Sequence, residues 1–125
     1  MSKKILVVED QEDNRRIMHD LLTHSGYEVI QATDGVEGVA AAEFHRPDLI
    51  LMDIQLPGID GYEAIRRIKA NPDLATIPII AVTSYALSGN DVKAFEAGCA
   101  AYVAKPFRPR DLLLRMKQIF SEGES

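Results

Sequence analysis

Two apolar stretches of the sequence end in acidic residues. Residues 5–8 run directly into Glu9 and Asp10, and residues 49–52 run into Asp53. A carboxylate at the end of a buried segment loses hydration that apolar neighbours do not replace, so it needs compensating positive charge. Carboxylates of this kind can hold a divalent cation, and one of them can act as a nucleophile.

Two further apolar stretches lead to a hydroxyl group and an ammonium group. Thr83 ends residues 79–83, and Lys105 lies at the end of residues 101–105. If all these stretches are parallel strands of one sheet, their carboxyl ends form a single edge, and these side chains lie there together. Three carboxylates at such an edge repel by roughly 3 kcal/mol per pair at an effective dielectric of about 20. Lys105 offsets part of that repulsion, and a divalent cation would offset the rest.

The donor set predicts a magnesium site. Asp10 and Asp53 are the expected direct carboxylate ligands, the backbone carbonyl of Gln55 is the expected third ligand, and Glu9 is expected to act through water. An all-oxygen site with few protein ligands and retained waters suits Mg²⁺, for which Mn²⁺ is an expected substitute. No His and Cys spacing typical of transition-metal sites occurs in the sequence.

Such a site is suited to chemistry on a phosphoryl group. Asp53 is the best candidate nucleophile and would form an aspartyl phosphate. Lys105 would contact one phosphoryl oxygen, and the Thr83 hydroxyl would hydrogen-bond another. Each residue alone has a simpler interpretation, because an acidic residue after a strand often forms a turn or caps a helix. Their occurrence in one register favours the chemical interpretation.

The elements that must position these residues alternate along the chain. Strands are predicted at residues 5–8, 27–32, 48–53, 79–83 and 101–105. Helices are predicted at residues 12–26, 34–45, 62–70 and 90–98, and from residue 109 onward. Strict alternation predicts an α/β fold of (βα)5 type, a doubly wound, five-stranded parallel sheet with helices on both faces. The second and fifth strands suit the edges, which gives the flavodoxin-like order 2-1-3-4-5.

Local signals within this pattern predict helix ends and burial. Asp34 and Glu37 have capping-box spacing at the start of the second helix, and Gly26 is predicted to cap the end of the first. Cys99 lies among small residues and is interpreted as a small buried hydrophobic residue. The three histidines lie on predicted helices away from the carboxyl edge and are expected at the surface; they are His19, His24 and His45.

Length and charge restrict the classes of function. A chain of 125 residues fits one domain, which we expect to span residues 1–125 with a core at about 3–121 and no output domain. The net charge of −5 argues against nonspecific nucleic-acid binding, which requires clustered cationic side chains. No signal peptide or membrane-spanning run occurs, so we expect a cytoplasmic protein without direct nucleic-acid or membrane contact.

Four motifs resemble those of bacterial two-component response-regulator receiver domains. They are ILVVED, DLILMDIQLPGIDG, IIAVTS and YVAKPF, and they occur in the order and at the spacing of that family. The resemblance implies that Asp53 is the phosphoacceptor and that Glu9 and Asp10 are the acidic pair for Mg²⁺. Many members have Asp where this sequence has Glu9, and the acidic alternative should keep metal binding.

The resemblance also implies how the site would switch. Thr83 is the switch hydroxyl, Tyr102 the switch aromatic, and Lys105 the lysine that contacts phosphate. The Lys105–Pro106 bond falls where the family has a cis peptide. Gln55 and Tyr85 occupy variable positions two residues after Asp53 and Thr83, where they are expected to influence the lifetime of the phosphate.

The function implied is that of a phosphorylation-controlled switch in a phosphorelay rather than an enzyme. Asp53 would accept a phosphoryl group from a histidine kinase or a histidine phosphotransfer protein, and the chain would assist only its own phosphorylation and dephosphorylation. The output would be binding to a downstream protein, by a monomer or a phosphorylation-dependent dimer. The expected partner surface is the face of the fourth helix, fifth strand and fifth helix, with Asn90, Lys93, Tyr102 and Arg108.

Two other interpretations remain open. One is a phosphatase or phosphotransferase of haloacid-dehalogenase type; such enzymes usually carry a second Asp where this chain has Gln55, and the chain offers no cap domain. The other is a receiver fold that binds partners without phosphorylation, against which the presence of Asp53, Thr83 and Lys105 argues.

Overall fold

The computed structural model describes residues 2–83 and 90–124. The expectation for Tyr85 lies outside the described residues, as do the side chains of residues 90, 91, 123 and 124.

Five strands alternate with five helices in the described residues. The strands are β1 (Lys4–Val8), β2 (Glu28–Ala32), β3 (Leu49–Asp53), β4 (Ile79–Thr83) and β5 (Ala101–Ala104). The helices are α1 (Glu12–His24), α2 (Gly35–His45), α3 (Gly61–Ala70), α4 (Asn90–Ala97) and α5 (Pro109–Glu124). All strands are parallel and form one sheet in the order β2-β1-β3-β4-β5. The predicted (βα)5 fold and strand order are therefore confirmed.

Burial along the strands explains their order. Every residue of β3 and β4 is buried, which is typical of central parallel strands with helices on both faces. β2 exposes Glu28 and Gln31, and in β5 Ala101 alone is fully buried. Both of these strands occupy edges, where one side of the strand lacks a neighbouring strand.

The core forms two layers, one on each face of the sheet. Because successive side chains of a strand point to opposite faces, residues alternate between the layers, as Ile50 and Leu51 do in β3. One layer packs under α2, α3 and α4, and the other under α1 and α5. No described helix combines the length and apolar composition needed to cross a bilayer.

The strand register brings the functional residues to one edge of the sheet. Val8 pairs with Met52, and Thr83 pairs with Ala104. Asp53 pairs with Val82, so the carboxyl ends of these four strands lie within two residues of one another. Glu9, Asp53, Thr83 and Lys105 each end or directly follow one of these strands.

The helix ends follow the sequence signals with one correction. Asp34 caps α2, accepting a hydrogen bond from the Glu37 N–H at 2.7 Å, as the capping-box spacing predicts. The prediction that Gly26 is the C-cap of α1 is wrong by one residue. Ser25 is the cap, and Gly26 follows it with a φ of 92°, a left-handed conformation that favours glycine.

Two further predictions about burial are confirmed. Cys99 is buried, and burial is the main reason that the pKa of its thiol is raised. The three histidines lie on helices, and none of them is buried.

The start of α3 packs tightly against the end of β3. A Cβ atom on Gly61 would collide with the carbonyl oxygen of Asp53 and the Cα of Ile54. The Gly61 N–H also donates to the Ile54 carbonyl at 3.0 Å. Glycine at this position therefore lets the loop after Asp53 return directly against the strand.

Candidate functional site

Three carboxylates meet at the carboxyl edge of the sheet. One oxygen from each of Glu9, Asp10 and Asp53 lies within 4.8 Å of the others. Glu9 and Asp53 are 3% and 5% exposed, and Asp10 is half-buried. The structure thus brings together the acidic residues that the sequence places after β1 and at the end of β3.

Lys105 supplies positive charge to this cluster. Its Nζ lies 2.7 Å from Oε1 of Glu9 and 3.2 Å from Oδ2 of Asp53. Burial would lower the pKa of Lys105, but the hydrogen bond to Glu9 and the charge of Asp53 raise it above its ordinary value. The lysine therefore stays protonated and bridges the two buried carboxyl groups.

One positive side chain does not compensate the whole cluster. Burial, and then the neighbouring Glu9, raise the pKa of Asp53 to about 7, against the opposing effect of Lys105. Burial also acts to raise the pKa of Glu9, but hydrogen bonds with Asp53 and Lys105 hold it below its ordinary value. Glu9 is thus ionised, and Asp53 is partly protonated near neutral pH.

This donor set fits a hard divalent cation. It offers clustered carboxylate oxygens, a half-buried Asp10, and a buried Asp53 whose pKa is raised by burial and by the neighbouring Glu9. Mg²⁺ prefers oxygen ligands, often one or two carboxylates with retained waters.

Arg15 of α1 holds the loop that carries the acidic pair. Its Nη1 donates to the backbone carbonyls of Glu9 and Asp10, at 3.0 and 3.3 Å. The neighbouring Arg16 instead lies 3.7 Å from Glu12 on the surface. Sequence reasoning missed this role, since two consecutive arginines give no signal of which one turns toward the loop.

Gln55 contacts both the end of β3 and the end of β4. Its backbone N–H donates to Oδ1 of Asp53 at 3.0 Å, and its side-chain Nε2 donates to Oγ1 of Thr83 at 2.6 Å. Thr83 is completely buried. From the sequence, the Gln55 carbonyl was expected to bind the metal, and the residue was expected to influence the lifetime of the phosphate. The contact of its side chain with Thr83 was missed.

The chain matches the family described as response regulator receiver domain over residues 5–117. The chain belongs to the response-regulator receiver family. The receiver is 45% identical to the polar-differentiation response regulator DivK of Brucella anthropi, over 85% of this chain and 86% of the relative.

Solved structures agree with this assignment. The receiver domain of the sensor histidine kinase PA1611 from Pseudomonas aeruginosa is 39% identical, with a TM-score of 0.88 over 94% of this chain and 97% of that one. That structure is described with a magnesium ion coordinated in its active-site cleft. A putative response regulator from Chloroflexus aurantiacus is 34% identical, with a TM-score of 0.92 over 97% of this chain and 99% of that one.

The residues expected to switch or to contact a partner lie beyond the acidic cluster of the receiver. Tyr102 is half-buried on β5 and packs against the core layer under α2, α3 and α4. The Lys105–Pro106 peptide bond is cis. Lys93 on α4 and Arg108 before α5 are exposed. Asn90 is the first residue of α4, and its side chain is outside the description.

A cavity of about 520 Å³ adjoins the acidic cluster of the receiver. Residues of α1 and of the segment after β5 line it together with Glu9, Asp53 and Lys105. Its lining includes Ile17, which is 62% exposed, and the half-buried Phe107. The receiver therefore has a largely apolar cavity directly beside its buried carboxyl groups.

Proposed function

We propose that the receiver accepts a phosphoryl group on Asp53 and transmits the signal by binding another protein. The observation that carries this proposal is the position of Asp53, which is 5% exposed and contacts Lys105 within a cluster of acidic oxygens. Such a carboxylate is fixed by its strand, and the cation-binding groups that phosphoryl chemistry needs surround it.

Magnesium would be held by the carboxylates of Asp10 and Asp53 and the carbonyl of Gln55, with Glu9 acting through water. Mn²⁺, which accepts the same oxygen ligands, is the proposed substitute. When bound, the metal supplies positive charge for the oxygens of the transferring phosphoryl group. The acidic cluster and the magnesium described for the PA1611 receiver support this assignment.

In the proposed transfer, an Oδ of Asp53 attacks the phosphorus of a phosphohistidine. The new O–P bond forms as the N–P bond breaks, and the histidine nitrogen of the donor keeps the electron pair. Lys105 contacts a phosphoryl oxygen and compensates its charge. Attack requires ionised Asp53, and the positive charge of a bound cation would favour that form.

Phosphorylation would then change the positions of the Thr83 and Tyr102 side chains. Phosphorylation adds about −1.5 to −2 charge and strong acceptor oxygens, toward which the Thr83 hydroxyl donates. Movement of Thr83 would leave space that Tyr102 fills by turning inward. The face of α4, β5 and α5 changes as a result, and Asn90, Lys93 and Arg108 are proposed to contact the downstream protein there. This is a shift between two populations rather than a new fold.

The proposed phosphodonor is a histidine kinase or a histidine phosphotransfer protein, and the proposed location is the cytoplasm, where ATP supplies kinases. The donor has to bring its phosphohistidine to Asp53, and the adjoining apolar cavity with exposed Ile17 supports contact at that side. The receiver itself is proposed to act on no separate substrate.

The proposal is tested by incubating the protein with acetyl phosphate and Mg²⁺ and measuring its intact mass. We expect one phosphoryl group per chain, lost on treatment with hydroxylamine as an acyl phosphate should be, and no labelling in EDTA. Parallel incubation with p-nitrophenyl phosphate should give no turnover. Absence of labelling contradicts the proposal, and sustained turnover supports the haloacid-dehalogenase-type interpretation instead.

The magnesium assignment gives a separate prediction. Asp10→Asn removes one anionic ligand and should weaken Mg²⁺ binding by about tenfold or more. Isothermal titration with MgCl₂ measures the change, with Asp13→Asn on the surface of α1 as the matched control. Equal affinity in wild type and Asp10→Asn would show that Asp10 does not bind the metal.

A further inference from the structure

The side chain of Gln55 links the proposed nucleophile to the proposed switch hydroxyl. Its backbone N–H is fixed on Asp53 at 3.0 Å, while its Nε2 reaches Thr83 Oγ1 at 2.6 Å. Gln55 is half-buried and Thr83 is fully buried. A single residue therefore contacts both groups whose relative position would change on phosphorylation.

The donor and the acceptor of this hydrogen bond follow from the chemistry of the two side chains. An amide N–H only donates, so the oxygen of Thr83 is the acceptor of this hydrogen bond. If Oγ1 moves toward a phosphoryl group on Asp53 while the Gln55 side chain keeps its position, the 2.6 Å contact with Nε2 lengthens. In a buried site water does not replace a lost hydrogen bond without cost, so the contact favours the present position of Thr83.

We propose that Gln55 is a positioning residue that holds Thr83 in its unphosphorylated position and thereby sets the resting population of the active conformation. This inference rests on the proposed function, since it assigns a control to the same switch. A restraint present mainly in one of two conformations shifts their equilibrium by its differential contribution. Weakening the restraint raises the active population without any phosphoryl group.

The test replaces Gln55 by methionine, which has a similar length and no N–H donor. Beryllofluoride with Mg²⁺ serves as the phosphoryl mimic, and two-dimensional amide NMR spectra report the conformation of β5. We expect Gln55→Met to move β5 resonances toward their beryllofluoride-saturated positions before any mimic is added. Its apparent affinity for beryllofluoride should rise about fivefold.

Three control variants make this result specific. Gln118→Met, on the exposed surface of α5, should leave both readouts unchanged. Thr83→Val removes the acceptor, so adding Gln55→Met in that background should give no further change. Gln55→Asn shortens the side chain and should act in the same direction as Gln55→Met, and thermal unfolding establishes that each variant is folded.

The outcomes separate the inference from the proposed function. The proposed restraint is contradicted if Gln55→Met binds beryllofluoride as wild type does or more weakly. It is also contradicted if Gln55→Met has the same effect on this affinity in the Thr83→Val background as in wild type. Failure of the wild-type protein to bind beryllofluoride contradicts the proposed function itself. Normal wild-type binding with an unresponsive Gln55→Met variant contradicts the inference alone.

Discussion

Asp53→Asn is expected to abolish labelling by acetyl phosphate and to stabilise the protein in EDTA at pH 8. Labelling is lost because the amide is not a nucleophile for phosphorus, whereas its shape matches the carboxyl group it replaces. Asp20→Asn, on the exposed part of α1, is the control and should label normally. Undiminished labelling of Asp53→Asn would assign the phosphoacceptor to another residue.

The stability effect follows from the direction of the pKa shift. Burial and Glu9 raise the pKa of Asp53 from 3.8 to about 7 in the folded protein. A carboxyl group whose pKa is raised by folding contributes its full stability at a pH below its pKa in the unfolded chain. This contribution is lost as the pH rises through its pKa in the folded protein. At pH 8 the wild type therefore carries a destabilising charge that Asn lacks.

Urea unfolding in EDTA measures this effect. We expect the free energy of unfolding of Asp53→Asn to exceed that of wild type by about 1–3 kcal/mol at pH 8. The difference should shrink toward pH 5. Mg²⁺ should stabilise wild type more than the variant, because it replaces the missing positive charge. A variant that is less stable than wild type at pH 8 would contradict the assigned pKa direction.

Lys105→Met is expected to lower the free energy of unfolding in EDTA by about 2 kcal/mol at pH 7, because it leaves Glu9 and Asp53 without their shared cation. Proton uptake by Asp53 limits the loss, since its pKa is already close to neutral. The same change should strengthen Mg²⁺ binding, because an ammonium group no longer competes for the carboxylates. Stability and metal affinity thus move in opposite directions.

Urea unfolding in EDTA and titration with MgCl₂ measure the two effects. Lys117→Met on the exposed surface of α5 controls for loss of a surface charge, and Lys105→Arg keeps the charge at the site. Labelling by acetyl phosphate should fall in Lys105→Met but remain Mg²⁺-dependent. If Lys105→Met weakens Mg²⁺ binding, Lys105 acts by positioning the carboxylates rather than by opposing the metal.

The sequence predicts the position of the acidic cluster because the geometry behind it is general. Parallel strands that end level must bring their following residues to one edge, and this places Glu9, Asp53 and Lys105 together. The apolar strands and the alternation of elements provide that information without any tertiary contact.

Contacts that depend on helix phase or side-chain rotamer are not predictable in this way. Whether Arg15 or Arg16 turns toward the β1–α1 loop depends on the rotation of α1 about its axis. The Gln55 side chain could extend to solvent or to Thr83, and the hydrophobic pattern is the same in both cases. These two contacts emerge only with the packed structure.

The ion pairs of Lys105 have a consequence for folding. They join residues 96 and 52 positions apart in the chain, and β5 reaches β1 only with β3 and β4 between them. Contacts this distant in sequence carry a loop-closure cost, since long segments of chain must be ordered before they form. A chain with an incomplete sheet therefore has neither the lysine nor the full set of carboxylates in place. The proposed acceptor site is therefore complete only in molecules whose fifth strand has joined the sheet.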